Sequence, residues 1–145
     1  MLFRSVSGFL LDTNVVSELV RPKPDDKVLR WVEETDESIL FLSVLTLGEI
    51  RNGVERLRSG RRRGRLESWL QVDLPFRFQD RILPIHAAIA DRWGTISASA
   101  AAKGKPVPVV DGLLAATALH HNLTLVSRNS KDVSATGVPT LNPWL

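Results

Sequence analysis

The 145-residue chain contains no cysteine, which excludes a disulfide framework and any thiolate metal site. That fits a reducing compartment such as the cytoplasm. Long apolar runs are missing too: no uncharged stretch nears the roughly 18 residues that a membrane-spanning helix needs. The first residues carry a single Arg and a short apolar stretch broken by Asp12, which does not read as a signal peptide. Neither a Walker A sequence nor a G-x-G-x-x-G after a strand is present, so nucleotide-cofactor enzymes have no support. Repeats, linkers and low-complexity blocks are absent. His86, His120 and His121 lack a spacing that binds zinc with other ligands, and read as structural or surface groups. The pair at 120–121 sits where cations complement a helix C-terminus.

What is present is an ordinary globular composition, 43% hydrophobic and 24% charged, without the profile of a disordered chain. The length points to one domain over residues 1–145, burying roughly 68–70% of its unfolded surface. A net charge of +3 permits a nucleic-acid partner without establishing one. Much of the positive charge is gathered in Arg56, Arg58, Arg61, Arg62, Arg63 and Arg65. The segment Ser59 to Gly64 reads as a basic turn. It is either a solvated corner between helices, a surface that steers RNA phosphates, chiefly through Arg61, Arg62 and Arg63, or a face for an acidic partner. The tryptophans Trp31, Trp69, Trp93 and Trp144 fall mostly on apolar helical faces, where packing is commoner than base stacking.

Periodicity places short strands at Phe9 to Leu11, Ile39 to Val44, Arg81 to Ile85, Leu123 to Val126 and Thr140-Leu141. Between them lie helical patterns. One follows Thr13 or Asn14 as cap, a second follows Asp25, and a third starts at Thr46. A fourth spans Leu66 to Leu74 and is ended by Pro75. Two more run from Ala87 to Lys103 and from Leu113 to His121, with Asn122 closing the last. Val107, Val109 and Val110 lead into Asp111 as if at a switch from sheet to helix. Strands alternating with helices predict an α/β fold with a mostly parallel sheet covered on both faces.

Four acids stand where those strands end or helices begin: Asp12, Glu49, Asp111 and Asp132. The carboxyl ends of parallel strands face one shared crevice. Two carboxylates about 5 Å apart there repel by roughly 3 kcal/mol at an effective dielectric near 20, so a cluster asks for a divalent cation. Oxygen donors of this kind suit Mg²⁺ or Mn²⁺. With a phosphodiester as substrate, such a site polarises the phosphate and activates water. Thr13 and Asn14, directly after Asp12, can orient waters or phosphate oxygens. Taken singly, each acid has an ordinary reading: Asp12 and Asp111 as helix caps, Glu49 as a solvated helix residue, Asp132 as a loop acid. The chemistry depends on their convergence.

The strings Leu11-Asp12-Thr13-Asn14, Ser43 to Ile50 (SVLTLGEI), Val110 to Ala118 (VDGLLAATA) and Ser127 to Asp132 (SRNSKD) resemble, in order, the four blocks of a PIN domain. Ala90 to Gly94 (ADRWG) is similar to the VapC/FitB branch of that family. The resemblance covers nearly the whole chain. It implies a flavodoxin-like three-layer α/β/α sandwich and a metal-dependent endoribonuclease using Mg²⁺ or Mn²⁺. It further implies the toxin of a type II toxin–antitoxin pair, a homodimer, and a small DNA-binding antitoxin of the VapB/FitA kind that inserts a segment into the active site. Carried over by position, the catalytic and metal-holding acids are Asp12, Glu49, Asp111 and Asp132, with Thr13 and Asn129 as polar supports. Asp91 is a further candidate acid. Ser127 stands where Thr is common and Val133 where an aromatic is common. The runs around Val28 to Val32 and Leu47 to Leu57 offer a groove for an antitoxin segment. Two other readings compete. A haloacid-dehalogenase-type phosphatase would need a second Asp where this chain has Asn14, and a late Lys for which only Lys131 offers itself. A catalytically weak module that binds RNA or protein would show little affinity for Mg²⁺ or Mn²⁺.

Overall fold

Leu10 and Leu11 are neighbours in the chain, both fully buried, and they belong to different cores. Side chains alternate across a strand, so a strand buried on both faces must be apolar at every position. The computed structural model describes residues 8–145; the N-terminal stretch assessed above as a leader lies, up to Ser7, outside them. Five parallel strands, β1 (Phe9–Leu11), β2 (Leu40–Ser43), β3 (Ile82–Leu83), β4 (Thr124–Val126) and β5 (Thr140–Leu141), form one sheet in the order β3-β2-β1-β4-β5. The alternation holds from strand to strand. Leu11, Leu40, Leu42 and Val126 join the core on one face, and Leu10 and Leu125 join the core on the other.

The first face is covered by α1 (Thr13–Glu18), α2 (Asp26–Glu34), α3 (Val44–Glu55), α4 (Arg61–Ser68) and α5 (Leu74–Phe78), through Val15, Val28, Ile50, Leu66 and Phe78 among others. The second is covered by α6 (Ala87–Ala102) and α7 (Val109–His120), through Ile96, Leu114, Ala115 and Ala118. The result is a three-layer α/β/α sandwich. Trp31, Trp69 and Trp144 pack against the first core. Among the described residues no helix is long and apolar enough to cross a membrane.

The sequence-based boundaries shift in several places, while Asp25 caps its helix as expected. Asp12 itself caps α1, its side chain accepting from the Thr13 N–H. The helix expected from Thr46 begins at Val44, because the Ser43 hydroxyl accepts from the Leu45 N–H and ends the strand. Pro75 does not stop its helix. A wider π turn over Trp69–Asp73, with the Leu74 N–H bonded to the Trp69 carbonyl, lets a new helical segment start just before it. A proline in a first turn removes only an N–H that has no intrahelical partner. Arg61 to Arg63 are therefore not a turn but the first residues of the helical stretch that runs from α4 through that π turn into α5. Finally, no strand precedes Asp111: Val109 and Val110 are already the opening residues of α7, after extended Pro108.

Connections from β1 to β2 to β3 step outward in one direction. The chain then returns to place β4 on the other side of β1. This reversal opens a crevice at the carboxyl ends of β1 and β4, the usual ligand position in open parallel sheets.

Candidate active site

Asp12 is the first residue beyond β1, and Ser127 the first beyond β4. The register pairs Leu11 with Val126, so these two stand side by side at the crevice. The Asp12 N–H donates to the Val126 carbonyl at 2.9 Å, continuing the ladder. One Asp12 carboxylate oxygen accepts the Thr13 N–H at 2.7 Å and the other accepts the Ser127 hydroxyl at 2.7 Å. Burial pushes the Asp12 pKa above the usual 3.8, while those two hydrogen bonds pull against the rise. Ser127 is itself held: its hydroxyl oxygen accepts from the Asn129 N–H at 3.0 Å and from the Asn14 side-chain amide at 3.3 Å. The Asn14 carbonyl oxygen in turn accepts the Arg128 N–H at 3.4 Å. Asn14 and Asn129 thus support Asp12 at one remove.

Glu49 is exposed on α3. The Thr13 hydroxyl donates to it in a short hydrogen bond and lies 3.3 Å from the hydroxyl of buried Thr46. Asp111 sits in the first turn of α7, and Asp132 in a 3₁₀ stretch over Ser130–Thr136. The Asp132 N–H donates to the Asn129 carbonyl at 3.0 Å, which ties that stretch back to the Ser127 loop. Asp111 reports the arrangement as a whole. Its pKa is raised first by burial, then by the negative charges of Asp12, Asp132 and Glu49.

Elsewhere several acids are ion-paired. Glu18, Glu37, Glu55 and Glu67 each pair with arginine at 2.9–3.1 Å. Among the described residues, no Lys, Arg or His side chain forms a salt bridge with Asp12, Glu49, Asp111 or Asp132. Carboxylates near enough to act on Asp111, and without an ion-paired countercharge among the described residues, suit a hard divalent cation.

The model of the family described as "PIN domain" matches residues 9–137. The chain belongs to the PIN-domain family. It is similar to Toxin FitB of Neisseria gonorrhoeae, with 36% identity over 93% of this chain and 97% of that protein. VapC ribonuclease Y4jK of Sinorhizobium fredii is 33% identical over 93% of this chain and 96% of its own. Among solved structures, FitAcB from Neisseria gonorrhoeae superposes with a TM-score of 0.90 at 36% identity, covering 94% of this chain and 98% of that one. These likenesses place this PIN domain among toxins of the VapC/FitB type.

Two residues of this PIN site escaped sequence reasoning in their roles. Ser127 was visible only as a departure from Thr, yet it is the hydroxyl that holds Asp12. Thr46 was noted only as a helix start, yet it is fully buried behind Thr13. The discoverable signal was the parity of the strand ends, since Asp12 and Ser127 each follow an apolar run. Asp91 is exposed on α6 and is not among the charges that act on Asp111. The three arginines separate. Arg63 is occupied by Glu55, Glu67 and the Leu57 carbonyl. Arg61 is exposed. Arg62 lines a groove of 250 Å³ that runs from Thr13 and Glu49 along Ile50, Val54, Leu57, Leu66 and Trp69. Of the two runs expected to build such a groove, the α3 run contributes and the Val28 to Val32 run is instead core.

Proposed function

We propose that this PIN domain is a metal-dependent endoribonuclease that hydrolyses RNA phosphodiester bonds, the toxin of a type II toxin–antitoxin pair. Its partner would be a small DNA-binding antitoxin of the VapB/FitA kind, and its assembly a homodimer. One observation carries the chemistry: the charges of Asp12, Asp132 and Glu49 all bear on Asp111, and among the described residues none of the four acids is ion-paired with a Lys, Arg or His. Relatives named as ribonuclease and endonuclease support the reaction class. A FitAB structure bound to a DNA fragment, 34% identical with a TM-score of 0.90, supports the partner.

Asp12 and Asp111 would hold Mg²⁺ or Mn²⁺, with Glu49 and Asp132 completing the shell directly or through water. Such a cation would neutralise the developing phosphate charge and make a water acidic enough to attack phosphorus. The chain's own groups do the positioning. Ser127 and the Thr13 N–H fix both oxygens of Asp12, so it presents one orientation to the crevice. Thr13 does the same for Glu49. Asp111, whose pKa is raised by burial and then by the charges of Asp12, Asp132 and Glu49, would ionise more readily beside a bound cation. Arg62, which lines the same groove as Glu49, is placed to meet an RNA phosphate.

The test is cleavage of a mixed RNA pool by purified protein with Mn²⁺ or Mg²⁺, with and without EDTA. Cleavage should vanish with EDTA and fall by roughly a hundredfold or more in Asp12→Asn and Asp111→Asn, while circular dichroism stays that of the folded protein. Wild-type rates in either variant, or in EDTA, would remove the assignment.

A further inference from the structure

Three histidines far apart in the chain meet on the side of the sheet opposite α1 to α5. His86 is the residue before α6, His120 is the last residue of α7, and His121 follows it as the C-cap. Their ring centroids are 4.8 Å apart for His86 and His120, 4.9 Å for His120 and His121, and 6.4 Å for His86 and His121. One ring nitrogen from each lies within 4.8 Å of the others. Spacing in the chain hides this, because the start of α6 and the end of α7 come together only in the folded pair.

The cluster has a second property. The Nε2 atom of His121 is buried and has no hydrogen-bond partner. A buried ring nitrogen is normally satisfied by protein or water, so this atom needs a partner. No carboxylate joins the three rings within the same reach among the described residues, which removes the usual reason for histidines to gather, pairing as cations with acids.

We propose that His86, His120 and His121 form a binding site for a borderline divalent transition metal, Zn²⁺ in the first instance, separate from the acidic site. Imidazole nitrogens suit Zn²⁺, Ni²⁺ and Cu²⁺, whereas Mg²⁺ and Mn²⁺ prefer oxygen. Tetrahedral Zn²⁺ with Zn–N near 2.0–2.1 Å sets its ligand nitrogens roughly 3.3 Å apart. His86 and His120 are exposed and free to close the remaining distance by side-chain rotation. The fourth position is left to water. Bound there, the ion bridges the beginning of α6 to the end of α7, and it lies at the far end of the helix whose first turn bears Asp111. His120 lies nine positions after Asp111, about 13.5 Å along the axis, so the two ions would not share ligands.

The probe is ZnCl₂ added to the purified full chain in excess Mg²⁺, read by calorimetry, with CoCl₂ absorption as a second readout. Wild type and Asp12→Asn should each bind one equivalent of Zn²⁺ outside the acidic site. His86→Gln and His120→Gln, which alter exposed side chains, should each weaken binding about tenfold or more. Both should also lose the visible Co²⁺ bands of a nitrogen-ligated tetrahedral ion. Zn²⁺ affinity unchanged in both variants, or no Zn²⁺ bound by the wild type, would overturn the site. Loss of binding in Asp12→Asn would also overturn it, since the ion would then belong to the carboxylates.

Discussion

Asp111 is an acid that the fold keeps at some expense to itself. Its folded pKa lies above 3.8 because of burial and three neighbouring carboxylates. An acid shifted in that direction contributes stability that is fully present below its unfolded pKa and is lost as pH rises through the folded one. The wild type therefore loses stability relative to an uncharged side chain as pH rises, so Asp111→Asn should melt higher than the wild type at pH 7 when no divalent ion is present. The gap should narrow steadily as pH is lowered toward 4, as thermal melts across that range would reveal. A variant that melts lower at pH 7 would contradict the repulsion. The acids themselves were legible in the sequence, because each follows an apolar run or opens a helix. Ser127 was not legible in its role, since the bond to Asp12 joins positions 115 apart and exists only through the β1–β4 register. The histidine cluster was not legible for the same reason: His86 and His120 are adjacent in space and not in sequence.

Helix α7 shows how closely an element must fit to place a single carboxylate. Gly112, next to Asp111, is buried, and a Cβ there would lie 2.9 Å from the Trp93 indole nitrogen and 3.0 Å from its neighbouring ring carbon. Gly112→Ala therefore forces Trp93 of α6 aside. Overpacking of this kind costs about 1–3 kcal/mol, and chemical denaturation should register it, with a larger loss of RNA cleavage than the stability change explains because Asp111 moves with the helix. If Gly112→Ala is as stable as wild type, the helices are not as closely seated as described. Helices α6 and α7 were readable from their Ala-rich periodicity. The α4–α5 region was not, because a π turn before Pro75 substitutes for the break that proline normally enforces. The opening of α7 was misread because Val109 and Val110 have strand propensity, which helix packing overrides.

At the scale of the molecule, the acidic site is a product of the sheet's reversal. Its groups come from the end of β1, from α3, from α7 and from the stretch after β4. A cation that binds all of them stabilises only the folded chain, by about 2.7 kcal/mol at a hundredfold excess over its Kd. Mg²⁺ or Mn²⁺ should therefore raise the melting temperature of the wild type, read by differential scanning fluorimetry, and leave that of the Asp12→Asn variant nearly unmoved. An equal rise in both would place the ion elsewhere. The α/β class and parallel sheet were legible because strands and helices alternate in the sequence. Strand order was not, since no local pattern says that β4 returns beside β1. That return has a temporal side. Asp12 leaves the ribosome well before its partner Ser127, 115 positions further along the chain. A chain made only as far as α3 carries Asp12 without the hydroxyl that holds its second oxygen, so the nuclease activity proposed for this fold would switch on only after β4 and the stretch behind it have been made.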